Sequence, residues 1–350
     1  MTSLAAHDSF QSVPKSLAPT SVAKRDCGID TMRGIAILMV IGIHSLQQPL
    51  SAWETAADAL LRPCVPVFLF VSGYLTALSG KVPLWKRMKA AIIPYAIAFA
   101  AAYIYMALHN AAMDHRPTTT VARFVLAYVF VYYYVFAYVG CTIALWLVFS
   151  APSSAGRSQE LVVALLLSAI VFGLTVGSYL DPLLSHLGFS ESLVEEVRMR
   201  DIPFWFSFMA LGALAGIFGV RSGASDTRSL LVGATFAAYA IYAGIRLFRL
   251  GDAADYDSIA FFCYAALLCS LLLLLDAKLP LIASLGSGSY FVYLWHIFIV
   301  MLLRDHVPLR ELGSVAASAV IYVVTTAGSV FTLVLTREFA SPRLCRWLGA

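Results

Sequence analysis

The sequence predicts an all-α integral membrane protein: a polytopic bundle of about ten transmembrane helices, with the N- and C-termini on the cytoplasmic side. Three observations carry that prediction. The 350 residues are 60% apolar and only 13% charged, with a mean hydropathy of +0.81, whereas a water-soluble domain of this size needs a far more polar surface. The apolar residues gather into ten segments, each close to the length at which a helix crosses the hydrocarbon core. The basic residues divide unevenly between alternate connections, which sets an orientation.

Taken in order, residues 1–24 are polar and rich in Ser and Ala, without the apolar centre of a signal peptide. They read as a disordered cytoplasmic tail. The apolar segments follow at about 32–50, 63–80, 90–109, 129–150, 160–178, 202–220, 229–248, 258–275, 284–303 and 314–336. The stretch from Val121 to Phe149 is too long for one upright span, so a short interfacial or re-entrant piece carrying Arg123 is expected before the fourth helix. Residues 25–337 make up the membrane domain and 338–350 a short cytoplasmic tail.

With the N-terminus inside, the inner connections collect 15 of the 24 Lys and Arg residues, including all six Lys. The outer side holds nine Arg together with 13 of the 20 acidic residues, a mixed-charge vestibule. Guanidinium groups pair with carboxylates and polar substrates through a rigid fork of donors. Any single outer Arg is equally accounted for by an ordinary loop salt bridge.

These features exclude several classes. The net charge of +4 reflects loop asymmetry, and no compact basic patch with interleaved aromatics points to nucleic acid. Cys27, Cys64, Cys141, Cys263, Cys269 and Cys345 form no CxxC pair and read as small core residues. His109, His115, His186 and His306 lie near or in outer connections at no metal-binding spacing. No repeat of 20–50 residues is present, and neither are the paired broken helices of an inverted-repeat transporter.

Arg33 and His44 stand out against this background. They are 11 residues apart in the first apolar segment, almost a whole number of turns, so they share a helix face over roughly 16 Å of axial rise. Asp30 falls near the same stripe. Ionisable groups within spans are functional candidates by default; a snorkelling anchor and a histidine satisfied by a neighbouring helix is the plain alternative. Three further patterns follow. Pro66-Val67-Phe68-Leu69-Phe70-Val71-Ser72-Gly73-Tyr74-Leu75 occupies the second segment. The basic loop Lys86-Arg87-Met88-Lys89 runs into Ile93-Pro94-Tyr95. The ninth segment carries Gly286-Ser287-Gly288-Ser289-Tyr290-Phe291-Val292-Tyr293-Leu294-Trp295-His296.

In this order and spacing, the patterns resemble the acyltransferase-3 family of integral-membrane O-acyltransferases, bacterial enzymes that acylate surface carbohydrates among other acceptors. The resemblance runs from about Arg25 to Arg337 and includes the aromatic segment Pro203–Phe208 leading to Gly212. Arg33 and His44 look like the family's R-x10-H signature. The second pattern matches the family's "FFxLSGF" segment with Tyr74 in place of Phe, and the last its "G-x-x-SY-x-x-YL-x-H" segment. Ala90 stands where the family's basic loop commonly has another Arg. Some relatives add an esterase-like domain after the last span, and this chain stops about 14 residues beyond it, so transfer is expected to finish within the membrane domain or to pass to another protein.

The resemblance implies a multi-pass enzyme of the bacterial inner membrane with no bound cofactor. Acetyl-CoA would be its co-substrate, and a sugar hydroxyl of an exopolysaccharide or its lipid-linked repeat unit its acceptor. Arg33, Lys86, Arg87 and Lys89 would hold the CoA phosphates, with Asp30 steadying Arg33. His44 would act as general base. His296 shares a helix face with Ser289 and Tyr293 and would polarise the carbonyl, orient the acceptor or bond another helix. Ser72 and Gly73 read first as close-packing residues, with a covalent acyl-serine as an alternative. Ser72, Tyr74, Ser289, Tyr290 and Tyr293 would serve as acceptor-side or supporting residues, although Tyr74, Tyr290 and the Tyr132–Tyr134 run read first as interfacial or packing aromatics. Other acceptors, such as O-antigen or a small molecule, and longer acyl chains stay open. So do two different classes: a transporter, and a non-catalytic partner in a polysaccharide assembly complex, for which Arg33 and His44 would be dispensable.

Overall fold

A computed structural model describes residues 26–110, 113–127, 131–155, 159–222, 226–251 and 257–350. The expected tail at 1–24, and Arg25, lie outside the described residues. The described chain is helical: α1 (Cys27–Ser45), α2 (Ala52–Leu61), α3 (Cys64–Ser79), α4 (Leu84–His109), α5 (Pro117–Val125), α6 (Tyr133–Ala155), α7 (Gln159–Thr175) and α8 (Leu180–His186) form its first half. α9 (Glu191–Arg198), α10 (Ile202–Ile217), α11 (Asp226–Leu247), α12 (Ile259–Leu275), α13 (Pro280–Ser287), α14 (Ser289–His306), α15 (Ser314–Phe339) and α16 (Pro342–Leu348) form its second.

A helix stands at each of the ten apolar segments. Among the described residues, seven helical stretches are long and apolar enough to cross a membrane. α13 and α14, bent by 82° at their junction, make an eighth if counted together. α10 and α12 are apolar but shorter, at 16 and 17 residues. The short piece expected ahead of the fourth long span is α5, which carries Arg123.

Three local differences from the sequence reading have physical causes. First, α1 begins at Cys27 and ends at Ser45, five residues earlier than its apolar run. Asp26 sets that start: its Oδ1 accepts the backbone N–H groups of Gly28 (3.0 Å) and Ile29 (3.2 Å), which otherwise lack partners in a first turn. Arg221 pairs with the same carboxylate and with Asp276, and holds Asp26 below the usual carboxylate range. Second, the basic run Lys86–Lys89 is no loop. Leu84–Ile93 is free of Gly and Pro and rich in good helix formers, so it makes the opening turns of the 26-residue α4, with Pro94 inside the helix. Third, the ninth segment is not one straight helix. Gly288 (φ −107°, ψ 14°) leaves the helical region and separates α13 from α14.

Small residues bring the spans close, as expected where no hydrophobic effect drives helix association in lipid. A Cβ on Gly286 would collide with Asp30 O and Gly34 N, and one on Gly34 with Ile282 O, so α1 and α13 cross in backbone contact. Leu279 N adds a bond to Thr31 Oγ1 (3.2 Å) at this crossing. Gly73 against Met209 O, and Gly212 against Phe70 O, do the same for α3 and α10. α1 is thereby packed among α3, α13, α14 and α15, with one flank turned to internal cavities.

Candidate active site

Two cavities lie back to back inside the bundle, named inner and outer for the sides on which the distribution of basic residues leads one to expect them. The inner one, of about 340 Å³, is lined by Arg33, Ser72, Arg87, Ser289 and Tyr290 over an apolar wall that includes Phe68 and Val71. The outer one, of about 530 Å³, is lined by His44, Asp58, Arg62, Glu196, Arg200 and Arg304. Tyr134 and Tyr293 line both. Their rings meet edge to face with centroids 5.4 Å apart, so this pair is the partition between the cavities.

The α1–α13 crossing positions the inner site. It sets Asp30 and Arg33 beside the start of α14, where Ser289 is buried. Arg33 Nη1 lies 3.4 Å from Asp30 Oδ1, a loose pair that leaves most of the guanidinium fork for another anion. Arg87 comes from the first turns of α4, and its buried Nη1 has no hydrogen-bond partner among the described residues. Cations at the start of a helix add to the positive end of the helix dipole. Two guanidinium groups with spare donors, over an apolar wall, make a receptacle for an anionic group carrying a short apolar arm. Tyr290 O–H donates to Ala91 O (2.6 Å) and ties α14 to α4.

Lys86 and Lys89, expected beside Arg87, point elsewhere. They line a third cleft of about 950 Å³ with Arg343, Arg346 and Trp347 of α16. Ala90 and Tyr290 line both this cleft and the inner cavity.

At the outer end, His44 occupies the last turn of α1 rather than its middle. Arg304 Nη2 donates to His44 O and Leu46 O, both at 2.9 Å, and so satisfies carbonyls the helix end would leave bare. His296 of α14 packs against His44, with ring centroids 5.4 Å apart. His296 Nδ1 is 3.0 Å from Val292 O and 2.8 Å from Tyr293 O. Carbonyl oxygens only accept, so Nδ1 carries the proton and Nε2 presents a lone pair. That Nε2 is buried without a partner among the described residues. Tyr293 O–H donates to Val131 O (2.6 Å), which fixes one half of the partition.

The rest of the outer cavity is charged and paired. Asp58 is buried and receives Arg62 (2.8 Å) and Arg246. Arg200 binds Glu196 (2.5 Å) and donates to Leu126 O (2.6 Å). Helix α9 and the turn after it supply Glu196 and Arg200. Alternating fixed donors and acceptors around a water-accessible hollow can read a polyol.

The structure therefore brings together Arg33, Arg87, Ser72, Ser289, Tyr290 and Tyr293 at one cavity, and His44 and Tyr293 at the other, with His296 enclosed against His44. Tyr74 is not among them: it is buried in a core between α1, α3, α10 and α12 with Ile29, Met32 and Phe70. Three features had no weight in the sequence reading. Tyr134 reads in sequence as one of a run of belt or packing aromatics. Asp58 and Arg62, four apart on α2, had a detectable i,i+4 signal. Arg304 was one of nine outer arginines with nothing to single it out.

A family model described as an acyltransferase domain matches residues 27–334. No curated protein and no solved structure gives a match to the chain.

Proposed function

Because the chain belongs to the acyltransferase-3 family and is a membrane acyltransferase, we propose that it moves an acetyl group from acetyl-CoA to a sugar hydroxyl. The acceptor in this reading is a bacterial exopolysaccharide or its lipid-linked repeat unit, and the site of action is the inner membrane. One observation carries the proposal. A cavity holding Arg33 and Arg87 and a cavity holding His44 meet at the shared Tyr134–Tyr293 partition.

In this reading, the phosphate-bearing donor enters from the cytoplasmic side, and Arg33 and Arg87 bind its anionic groups. The thioester end reaches the partition. The acceptor hydroxyl enters from the outer cavity, where Glu196, Arg200 and Arg304 offer hydrogen-bonding groups. His44 takes the hydroxyl proton as the oxygen attacks the thioester carbonyl. The new C–O bond forms, the C–S bond breaks, and the imidazolium proton is then available to the departing thiolate. His296, with its proton held on Nδ1 by backbone carbonyls, keeps a bare Nε2 beside His44 and steadies the imidazole in its working orientation. Ser72, on the inner cavity, stays on the donor side of the partition.

The test is the ester-linked acetyl content of exported polysaccharide, measured in cells lacking this protein and in the same cells after its return. Acetyl lost and then restored supports the assignment. Acetyl unchanged by the loss rules this acceptor out.

A further inference from the structure

We infer that the cleft between α4 and α16 is the seat of the donor's nucleotide end, with Arg343 and Arg346 binding phosphate and Trp347 facing the purine. This deepens the proposed acyl-CoA reading and rests on it. The C-terminal residues 338–350 read from sequence as a tail, yet residues among them build one wall of this cleft of about 950 Å³.

Four cationic side chains gather in the cleft. Lys86 and Lys89 enter from α4, and Arg343 and Arg346 from α16. Among the described residues, none of the four makes an ion pair with an acidic side chain; the bond recorded for Arg346 is from its Nε to Pro342 O (3.2 Å). Lys86 and Lys89 also sit in the opening turns of a 26-residue helix, where the dipole already favours an anion. Like charges collected at such a place repel one another unless an anion joins them. The 3′-phosphate on the ribose of coenzyme A is an anion of that kind, which a guanidinium matches bidentately, while the diphosphate bridge is left to Arg33 and Arg87.

The remaining lining fits the rest of the nucleotide. Trp85 and Trp347 are 77% and 54% exposed and line the same cleft, so two indole faces are open for a purine ring. The cleft adjoins the inner cavity along Ala90 and Tyr290. A ligand seated here by its 3′-phosphate therefore lies beside the cavity that holds Arg33 and Arg87. The wall is fixed in place: Trp295 Nε1 donates to Leu348 O (3.3 Å), and Cys345 Sγ lies 3.4 Å from Thr336 O. The helix N-terminus is closed by Ser341 Oγ, which accepts from Leu344 N (3.3 Å).

The experiment compares binding of acetyl-CoA and of its 3′-dephospho analogue to the purified full-length protein in nanodiscs of phosphatidylcholine. The wild type is expected to prefer the 3′-phosphorylated form by about ten- to a hundredfold, the range for loss of charge-assisted bonds. In the Arg343→Gln/Arg346→Gln double variant the preference should fall to near one. Arg343→Lys/Arg346→Lys should keep most of it, and Arg228→Gln, a change on α11 away from the cleft, should keep all of it. A ratio between two ligands is insensitive to a partly unfolded fraction. Full discrimination in the double Gln variant would place the nucleotide elsewhere and overturn the inference while leaving the donor reading intact. No binding of either nucleotide to the wild type would remove the donor reading and this inference with it. Loss of CoA binding in phosphatidylglycerol nanodiscs, relieved in the double Gln variant, would make the cleft a lipid-headgroup site and also overturn it.

Discussion

His44 and His296 face each other across the contact between α1 and α14, their ring centroids 5.4 Å apart and their planes tilted by 37°. The two imidazoles are not equivalent. His296 is enclosed and its tautomer is set by two backbone carbonyls, whereas His44 opens onto the outer cavity. In the proposed reaction, this asymmetry suits His44 to the reacting role and His296 to a positioning one.

His296→Ala is expected to lower kcat about ten- to a hundredfold, the scale of a misplaced catalytic group, with the KM for acetyl-CoA nearly unchanged. Steady-state kinetics with saturating acceptor separate the two constants. A rise in KM with kcat intact would make His296 part of donor binding instead.

Arg33→Gln and Arg87→Gln should act in the opposite sense. Each removes a guanidinium from the inner cavity and should weaken the donor about tenfold or more, appearing as a raised KM for acetyl-CoA. Arg33→Lys should recover only part of the loss, because an ammonium cannot reproduce the fork. Equal affinity in wild type and Arg33→Gln would take Arg33 out of donor binding.

The partition makes a prediction of its own. Tyr134→Ala joins the two cavities and gives water a path to the thioester, so release of free CoA without acceptor should rise several-fold. Tyr134→Phe keeps the ring and should behave as wild type. The assay is thiol appearance from acetyl-CoA; hydrolysis at the wild-type level in Tyr134→Ala would mean that this ring does not separate water from the donor.

How much of this was readable beforehand depends on the kind of signal. The apolar segments and the Arg33–His44 pair were legible because apolar length and buried charge stand out from local sequence alone. The register of α1 was not, since its start depends on a single capping carboxylate, Asp26, placed before a short mixed stretch. The helical state of Lys86–Lys89 was masked by their charge, which suggests a loop. Tyr134 could not be told from a belt aromatic, because only the packing of α6 against α14 sets it opposite Tyr293. The α4–α16 cleft joins residues more than 250 positions apart, a relationship no local pattern encodes.

Asp26 offers a test of the inner-side anchoring. Its carboxylate is held below its ordinary range chiefly by Arg221, so its contribution to stability is fully present above about pH 4 and is lost as pH falls through the depressed value. Asp26→Asn keeps a capping oxygen but removes the charge. It should lower stability at pH 7 by no more than about 1 kcal/mol, given the exposure of the pair. Thermal unfolding in detergent should show that difference closing as the medium is acidified towards pH 3. A difference that persists at low pH would assign the effect to the cap.

The most direct measurement is acetylation of exported polysaccharide by cells whose only copy of this protein carries His44→Ala, at membrane levels matched to wild type. The account predicts loss of ester-linked acetyl by at least about a hundredfold, the lower range for removing a general base, with insertion unaffected. Acetylation equal to wild type would contradict it and take His44 out of the chemistry.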